Sequence, residues 1–168
     1  MNVAFERWLR RDQFLVVLLG FGEGARDPPG GELSRVMLAL KTILARLDRV
    51  PTLVFDEVDA GIGGRVGLQV GETMRRVATY HQVFAITHLP QIAARGHHHL
   101  LVSKGARGGV TTSDVTVLTD DPRVTEIARM LGGDPESDVS RAHARELLEA
   151  ASAPAAEPAP ARKPSRRR

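Results

Sequence analysis

Two adjacent carboxylates, Asp56 and Glu57, end a short apolar run at residues 52–55. Such a run is typical of a buried strand, and its acids would stand at the strand's carboxyl end. There, one carboxylate can hold Mg²⁺ through the ion's water shell, because Mg²⁺ prefers oxygen ligands and keeps several waters. The next carboxylate can orient or deprotonate an attacking water. On its own, however, a strand that ends in Asp-Glu is more often a solvated strand end.

The residues around this pair favour phosphate chemistry. Upstream, Gly30 and Gly31 open a helical pattern, and a glycine-rich helix N-terminus lets an anion approach the backbone. Downstream, Asp59 lies in a polar loop directly after the acids, and a second apolar run at residues 82–87 ends at His88. An imidazole there could meet a terminal phosphate. Each feature alone is weak, but their order along the chain is specific.

Several segments together carry a family resemblance. They are Gly-Gly-Glu-Leu-Ser-Arg at 30–35, Phe-Asp-Glu-Val-Asp-Ala-Gly at 55–61, Thr-His-Leu-Pro-Gln-Ile-Ala at 87–93, Val-Ser-Lys at 102–104 and Arg-Met-Leu-Gly-Gly at 129–133. In this order they resemble RecN, a DNA double-strand-break repair ATPase related to the SMC proteins, whose head is of the ATP-binding-cassette (ABC) type. The resemblance covers about residues 30–150.

The resemblance implies a role for each motif residue. Asp56 would be the Walker B acid that holds Mg²⁺ through water. Glu57 and His88 would be catalytic, the first polarising the attacking water and the second acting as the switch histidine at the γ-phosphate. The expected cofactor-binding residues are Gly30, Gly31, Glu32 and Ser34 of the signature motif, with Asp59 in the loop that crosses the dimer interface.

The same resemblance implies cofactors and partners. ATP and Mg²⁺ would be bound where two heads meet, so that a homodimer sandwiches two nucleotides. The intact protein would act on DNA in repair and recombination, and would be cytoplasmic and associated with the nucleoid. No membrane partner is expected, because the apolar run at residues 14–19 is too short to cross a bilayer.

Two departures from the family pattern limit the expected activity. Pro29 stands where the signature motif has serine, which removes a hydroxyl and a backbone N–H donor. No Gly-x-x-x-x-Gly-Lys-Ser/Thr loop occurs in the sequence, so the Walker A phosphate cradle is missing. We expect the missing N-terminal lobe to come from the same or a separate chain, and the chain alone to be inactive as an ATPase. The alternative is a truncated, inactive lobe that serves only as an interaction module.

Helical and strand patterns alternate along the body of the chain. The apolar spacing predicts helices at residues 33–47, 66–80, 89–95, 124–131 and 140–150, and strands at 52–55, 82–87, 100–103 and 115–118, with a further candidate strand at 13–19. This alternation indicates an α/β fold with a largely parallel sheet flanked by helices. By resemblance it would be the C-terminal lobe of an ABC/SMC-type P-loop ATPase head. Met37, Leu40 and Leu44 form a helical stripe that predicts core packing.

The chain divides into three expected parts. Residues 1–29 form an irregular N-terminal segment with a remnant strand or loop, 30–150 the RecN-like lobe, and 151–168 a disordered Ala/Pro/Arg tail. The tail holds five basic residues and one acidic residue, whereas residues 1–150 hold 18 basic and 19 acidic residues. The basic character therefore belongs to the tail.

The chain has no cysteine, which excludes disulfides and thiolate metal sites. His97, His98 and His99 are expected to form a solvated or family-typical lead-in to a strand.

Overall fold

The computed structural model describes residues 14–19, 31–45, 47, 49–107 and 110–152. Ten elements lie within these residues. They are β1 (Phe14–Leu19), α1 (Gly31–Leu44), β2 (Thr52–Phe55), α2 (Gly64–Val77), β3 (Gln82–Ile86), α3 (Pro90–Ala93), β4 (His98–Arg107), β5 (Val110–Leu118), α4 (Asp120–Met130) and α5 (Asp138–Ser152).

The strands form one sheet in the order β2-β3-β1-β4-β5. The first three pairings are parallel and the last is antiparallel, which confirms the predicted α/β fold with a largely parallel sheet. The β4–β5 hairpin is longer than predicted, because its ladder continues to the pair Arg107–Val110 through glycine-rich sequence that favoured a loop.

Parallel pairing of β2 with β3 positions the motif residues. Phe55 pairs with Ala85, so the two strands end at the same edge of the sheet. Asp56 and Glu57 follow one strand there, while Thr87 and His88 follow the other. Ligands of open parallel sheets bind beyond the carboxyl ends of the strands. The topology therefore gathers the predicted catalytic residues at the edge where a ligand would bind.

The core lies between the sheet and helices α2, α3, α4 and α5. Its fully buried side chains include Met74, Val77, Val83, Ile92 and Ile127. The strand β2 contributes only one face, because Leu53 and Phe55 are buried whereas Val54 is 65% exposed. The run at residues 52–55 is thus a half-buried edge strand rather than a fully buried one.

The prediction of a core stripe on α1 is wrong for Met37 and Leu40, which are exposed, whereas Leu44 is half-buried. Five side chains of this helix are between 42% and 78% exposed, and we call them the α1 face: Leu33, Val36, Met37, Leu40 and Ile43. The helix packs on the rest of the described chain through Gly31 and Leu38 instead. Helical periodicity shows that a face is apolar, but it does not show what covers that face.

The ends of the chain are described only in part. The candidate strand at residues 13–19 is confirmed as β1, and α5 continues to Ser152, two residues past the end of the predicted lobe. Pro29, Gly30 and the rest of the basic tail lie outside the described residues. The predicted division of the chain into three parts stays a prediction.

Of the two expectations for the histidine triplet, the solvated lead-in is wrong for His99, whose side chain is fully buried. His99 lies in β4, where it pairs with Val16 on one side and with Leu118 on the other. Neither ring nitrogen has a hydrogen-bond partner among the described residues. Burial, reinforced by the nearby Arg123 guanidinium, lowers the pKa of His99 to about 4.

We expect this histidine to make the fold acid-sensitive. Its pKa is lower in the folded chain than in the unfolded chain, so its effect is absent above about pH 6.5. Stability falls as the pH drops from 6.5 toward 4, by roughly 3 kcal/mol in all. Urea unfolding between pH 4 and 8 measures this slope. The variant His99→Leu should flatten it, whereas His143→Leu, at an exposed position, should leave it unchanged. An equal slope in wild type and His99→Leu would contradict the assignment.

Candidate active site

The predicted acids lie in a tight turn after β2, which we call the acid turn (residues 56–60). Glu57 has a φ of 56°, and its carbonyl oxygen accepts a hydrogen bond of 3.1 Å from the Ala60 N–H. Left-handed backbone in a residue other than glycine is strained, and such strain concentrates at functional sites. The side chains of Asp56 and Glu57 are both exposed. The turn therefore presents two carboxylates to a ligand at the sheet edge.

The first turn of α1 packs directly on the acid turn. A Cβ atom at Gly31 would come within 2.8 Å of both the Glu57 carbonyl oxygen and the Ala60 Cβ, so only glycine fits there. The Ser34 hydroxyl donates a 2.9 Å hydrogen bond to the Asp56 carbonyl oxygen. The glycine and serine of the predicted signature motif therefore hold the backbone of the predicted catalytic acids in the same chain.

A buried carboxylate, that of Asp59, joins the acid turn to the end of β3. Asp59 is 2% exposed, and its Oδ2 accepts hydrogen bonds from the Thr87 hydroxyl and, at 2.8 Å, from the His88 N–H. The His88 Nδ1 lies 3.0 Å from the same oxygen. The Thr87 hydroxyl also accepts a bond from the Leu89 N–H. One carboxylate oxygen thus fixes both the backbone and the ring of His88.

This contact sets the chemistry of the His88 ring. A carboxylate oxygen can only accept, so a hydrogen bond across this 3.0 Å contact requires the hydrogen on Nδ1. In the neutral ring Nε2 then holds the lone pair, and in the imidazolium both nitrogens donate. The His88 side chain is 71% exposed, so its free edge can reach a ligand. The geometry suits a histidine that exchanges a proton or a hydrogen bond with a group beyond the strand ends.

The segment after His88 is held from behind by two arginines. Arg95 pairs with Glu72 of α2, and the Arg123 guanidinium donates to the carbonyl oxygens that end α3. Gly71 permits the close packing of α2 on α3, since a Cβ there would meet the Gln91 carbonyl oxygen at 3.3 Å. The segment that carries His88 is therefore attached to the core on both sides.

The structure brings most of the predicted site residues together. Asp56, Glu57, Asp59 and His88 share the sheet edge, with Gly31 and Ser34 packed against them, whereas Glu32 is exposed at the start of α1. The roles that the resemblance implies for these residues remain predictions. Thr87 and Arg35 were not among the predicted site residues. Thr87 donates a hydrogen bond to Asp59 of the acid turn, and Arg35 donates to two of its carbonyl oxygens. A threonine directly before the strand-end histidine was the only signal for the first of these.

Several known proteins are similar in sequence to this chain. The chain is 51% identical over 129 residues to the DNA repair protein RecN of Streptomyces coelicolor and 54% identical over 127 residues to that of Mycobacterium leprae. The RecN protein of Deinococcus radiodurans is 55% identical over 119 residues. The matched part of the chain is therefore similar to RecN proteins. The resemblance drawn from the motif order is therefore confirmed.

The match is long on this chain and short on its relatives. It covers 77%, 76% and 71% of the chain in the three cases, but only 23%, 21% and 21% of the respective RecN proteins. The chain thus spans about a fifth of the length of the curated RecN relatives it matches. No family model matches the chain.

One solved structure is similar in part. It is an SMC head bound to the C-winged helix domain of ScpA, with a TM-score of 0.43 and 24% identity, covering 54% of this chain and 28% of that one.

None of the helices in the described part of the chain has the length and apolar character needed to span a membrane.

Close packing at Gly31 makes a stability prediction. We expect Gly31→Ala to lower the free energy of unfolding by about 2 kcal/mol, because the new methyl group must displace the acid turn. Gly63→Ala is the comparison, since a Cβ there meets nothing within 4 Å; because Gly63 is the N-cap of α2, the substitution should still cost about 0.5–1 kcal/mol. Urea denaturation measures both. Equal effects of the two substitutions would show that α1 does not pack on the turn as described.

Proposed function

We propose that the chain is the C-terminal lobe of a RecN-type ATPase head that acts in DNA double-strand-break repair and recombination. The observation that carries this proposal is the joining of the acid turn to His88 through Asp59 at the carboxyl edge of the parallel sheet. This arrangement supplies a pair of carboxylates and an imidazole where a terminal phosphate would bind. The RecN relatives support the same function through their name.

The proposed reaction is hydrolysis of the β–γ bond of ATP by water. Glu57 accepts a hydrogen bond from the attacking water and draws off its proton. His88, held by Asp59, donates from its exposed nitrogen to the terminal phosphate in the imidazolium form, in which both ring nitrogens carry hydrogen. Gly31 and Glu32 would contact the nucleotide of a second head, so that two heads enclose two nucleotides. Product release would then accompany separation of the heads on DNA.

The proposed metal is Mg²⁺, with Asp56 as its protein ligand through water. The ion neutralises charge on the phosphates when it is bound. The described residues contain no group of three or more acids or histidines that could form an all-protein metal cage. A single exposed carboxylate beside a nucleotide site fits Mg²⁺, because this ion is usually held by one or two carboxylates, waters and substrate phosphates.

The exposed α1 face supports the proposed N-terminal lobe as a partner. The α1 face lies beside β2, where Val54 is also exposed and where, among the described residues, β2 has a strand neighbour on one side only. A groove of about 240 Å³ separates the two elements and is lined by Leu33, Ser34, Met37, Lys41, Leu53, Val54 and Phe55. A contiguous apolar surface of this kind marks an interaction site. The lobe that carries the phosphate loop, on the same or a separate chain, would cover it.

Complementation tests the proposed activity. We expect the full chain alone to leave ATP intact, because no phosphate loop occurs in its sequence. Mixed with a separately expressed N-terminal lobe of a RecN relative and Mg²⁺, it should hydrolyse ATP, measured as phosphate release. Glu57→Gln should abolish this hydrolysis, while Glu149→Gln, at an exposed position on α5, should not.

Two results would contradict this account. One is hydrolysis by the chain alone that vanishes in Glu57→Gln. The other is hydrolysis by the mixture that survives Glu57→Gln unchanged. Pro29 replaces the serine of the signature motif. Pro29→Ser should therefore strengthen the ATP-driven dimerisation of the heads, measured as dimer formation in the same mixture.

Lobe docking has its own test. Ile43→Asp puts a charge on the α1 face and should weaken binding of the N-terminal lobe about tenfold or more, because burial of an isoleucine contributes roughly 1.5–3 kcal/mol. Val139→Asp is the matched control, since Val139 is 79% exposed on α5 and Ile43 is 78% exposed on α1. Titration calorimetry measures both affinities. Equal affinities for the two variants would exclude the α1 face as the docking surface.

The second candidate function is an interaction module without catalysis. The exposed α1 face and the absence of a phosphate loop in the sequence favour it. In that case the lobe would bind its partner with the affinity expected above, yet the mixture would release no phosphate.

The basic tail is a separate candidate for DNA contact, and deletion of residues 153–168 should then remove salt-sensitive DNA binding.

A further inference from the structure

Two side chains of α1 donate hydrogen bonds to the backbone of the acid turn. One is Ser34, described above, and the other is Arg35, which has no assigned role. The Arg35 Nη1 atom donates to the Ala60 carbonyl oxygen at 2.9 Å and to the Val58 carbonyl oxygen at 3.3 Å. These two carbonyls flank Asp59, whose carboxylate faces the opposite way and holds His88. A single guanidinium therefore fixes the backbone on either side of the residue that orients the histidine.

We propose that Arg35 is a positioning residue that couples the first turn of α1 to His88 through the acid turn. The path has three direct contacts: Arg35 to the turn carbonyls, the turn backbone to the Asp59 side chain, and Asp59 to the His88 ring. Arg35 is half-buried and Asp59 is buried, so the contacts of the acid turn form where hydrogen bonds are stronger than in water, whereas the His88 ring at the end of the path is exposed. Displacement of the guanidinium would release the turn and, with it, the ring.

Close packing makes this path stiff. A Cβ at Gly31 would lie 2.8 Å from the Glu57 carbonyl oxygen and 3.0 Å from the Arg35 Nη1. The strained Glu57 backbone sits between these contacts. A shift of the first turn of α1 must therefore move the acid turn rather than be absorbed by empty space.

The coupling deepens the proposed function, on which it rests, because His88 is the residue proposed to meet the terminal phosphate.

The test reads the His88 ring in the free, full chain without nucleotide. Ring ¹⁵N chemical shifts report which nitrogen carries the hydrogen, and His88→Gln identifies the signals among the six histidines. Arg35→Met removes the guanidinium but keeps the apolar stem. Arg65→Met makes the same change at an exposed position on α2 and is the control. Arg35→Lys keeps the charge but loses the fork that reaches two carbonyls.

We expect wild type and Arg65→Met to show hydrogen on Nδ1, Arg35→Met to lose that signature, and Arg35→Lys to lose part of it. If Arg35→Met does not fold, the Arg35→Lys spectrum decides. Retention of the full Nδ1–H signature in the folded Arg35 variant overturns the proposal, as does its absence from wild type. Since no nucleotide is present, failure here is distinct from failure of the proposed ATPase function.

Discussion

One buried carboxylate organises the candidate site. Asp59 is 2% exposed, so its charge must be met by hydrogen-bond donors of the protein rather than by solvent. These donors come from the end of the neighbouring strand. Replacement of this carboxylate would leave the Thr87 hydroxyl and the His88 N–H without their partner. The positions of Glu57 and His88 relative to each other therefore depend on Asp59. The rest of the local structure, from Gly31 to Arg123, supports the two segments that this residue joins.

Sequence was sufficient for the order of the elements and for the sheet edge where the motifs meet. Short apolar runs that end in Asp-Glu and in Thr-His predict parallel strands, and parallel strands bring their carboxyl ends together. Sequence was not sufficient for the contacts between those ends. The burial of the Asp59 carboxylate and its contact with His88 depend on the tight turn that begins at Glu57, which no spacing pattern specifies.

Two errors of prediction share a physical cause. Met37 and Leu40 of the α1 face were expected in the core and are exposed, while His99 was expected in solvent and is buried. In both cases the pattern gives the polarity of a side chain but not its neighbours. The α1 face is exposed because none of the described residues covers it. The side chain of His99 is fully buried although those of its two neighbours in the triplet are not.

The central claim is that this chain carries the hydrolytic half of a RecN-type head. A chimera tests it most directly, in which residues 31–152 replace the aligned segment of the Streptomyces coelicolor RecN, so that the relative supplies the phosphate loop and its own residues before Gly31. The measurement is the rate of Mg²⁺-dependent ATP hydrolysis. The account predicts hydrolysis that disappears with Glu57→Gln and falls strongly with Asp59→Ala. A folded chimera that hydrolyses no ATP, or one whose rate is unchanged by Glu57→Gln, would contradict it.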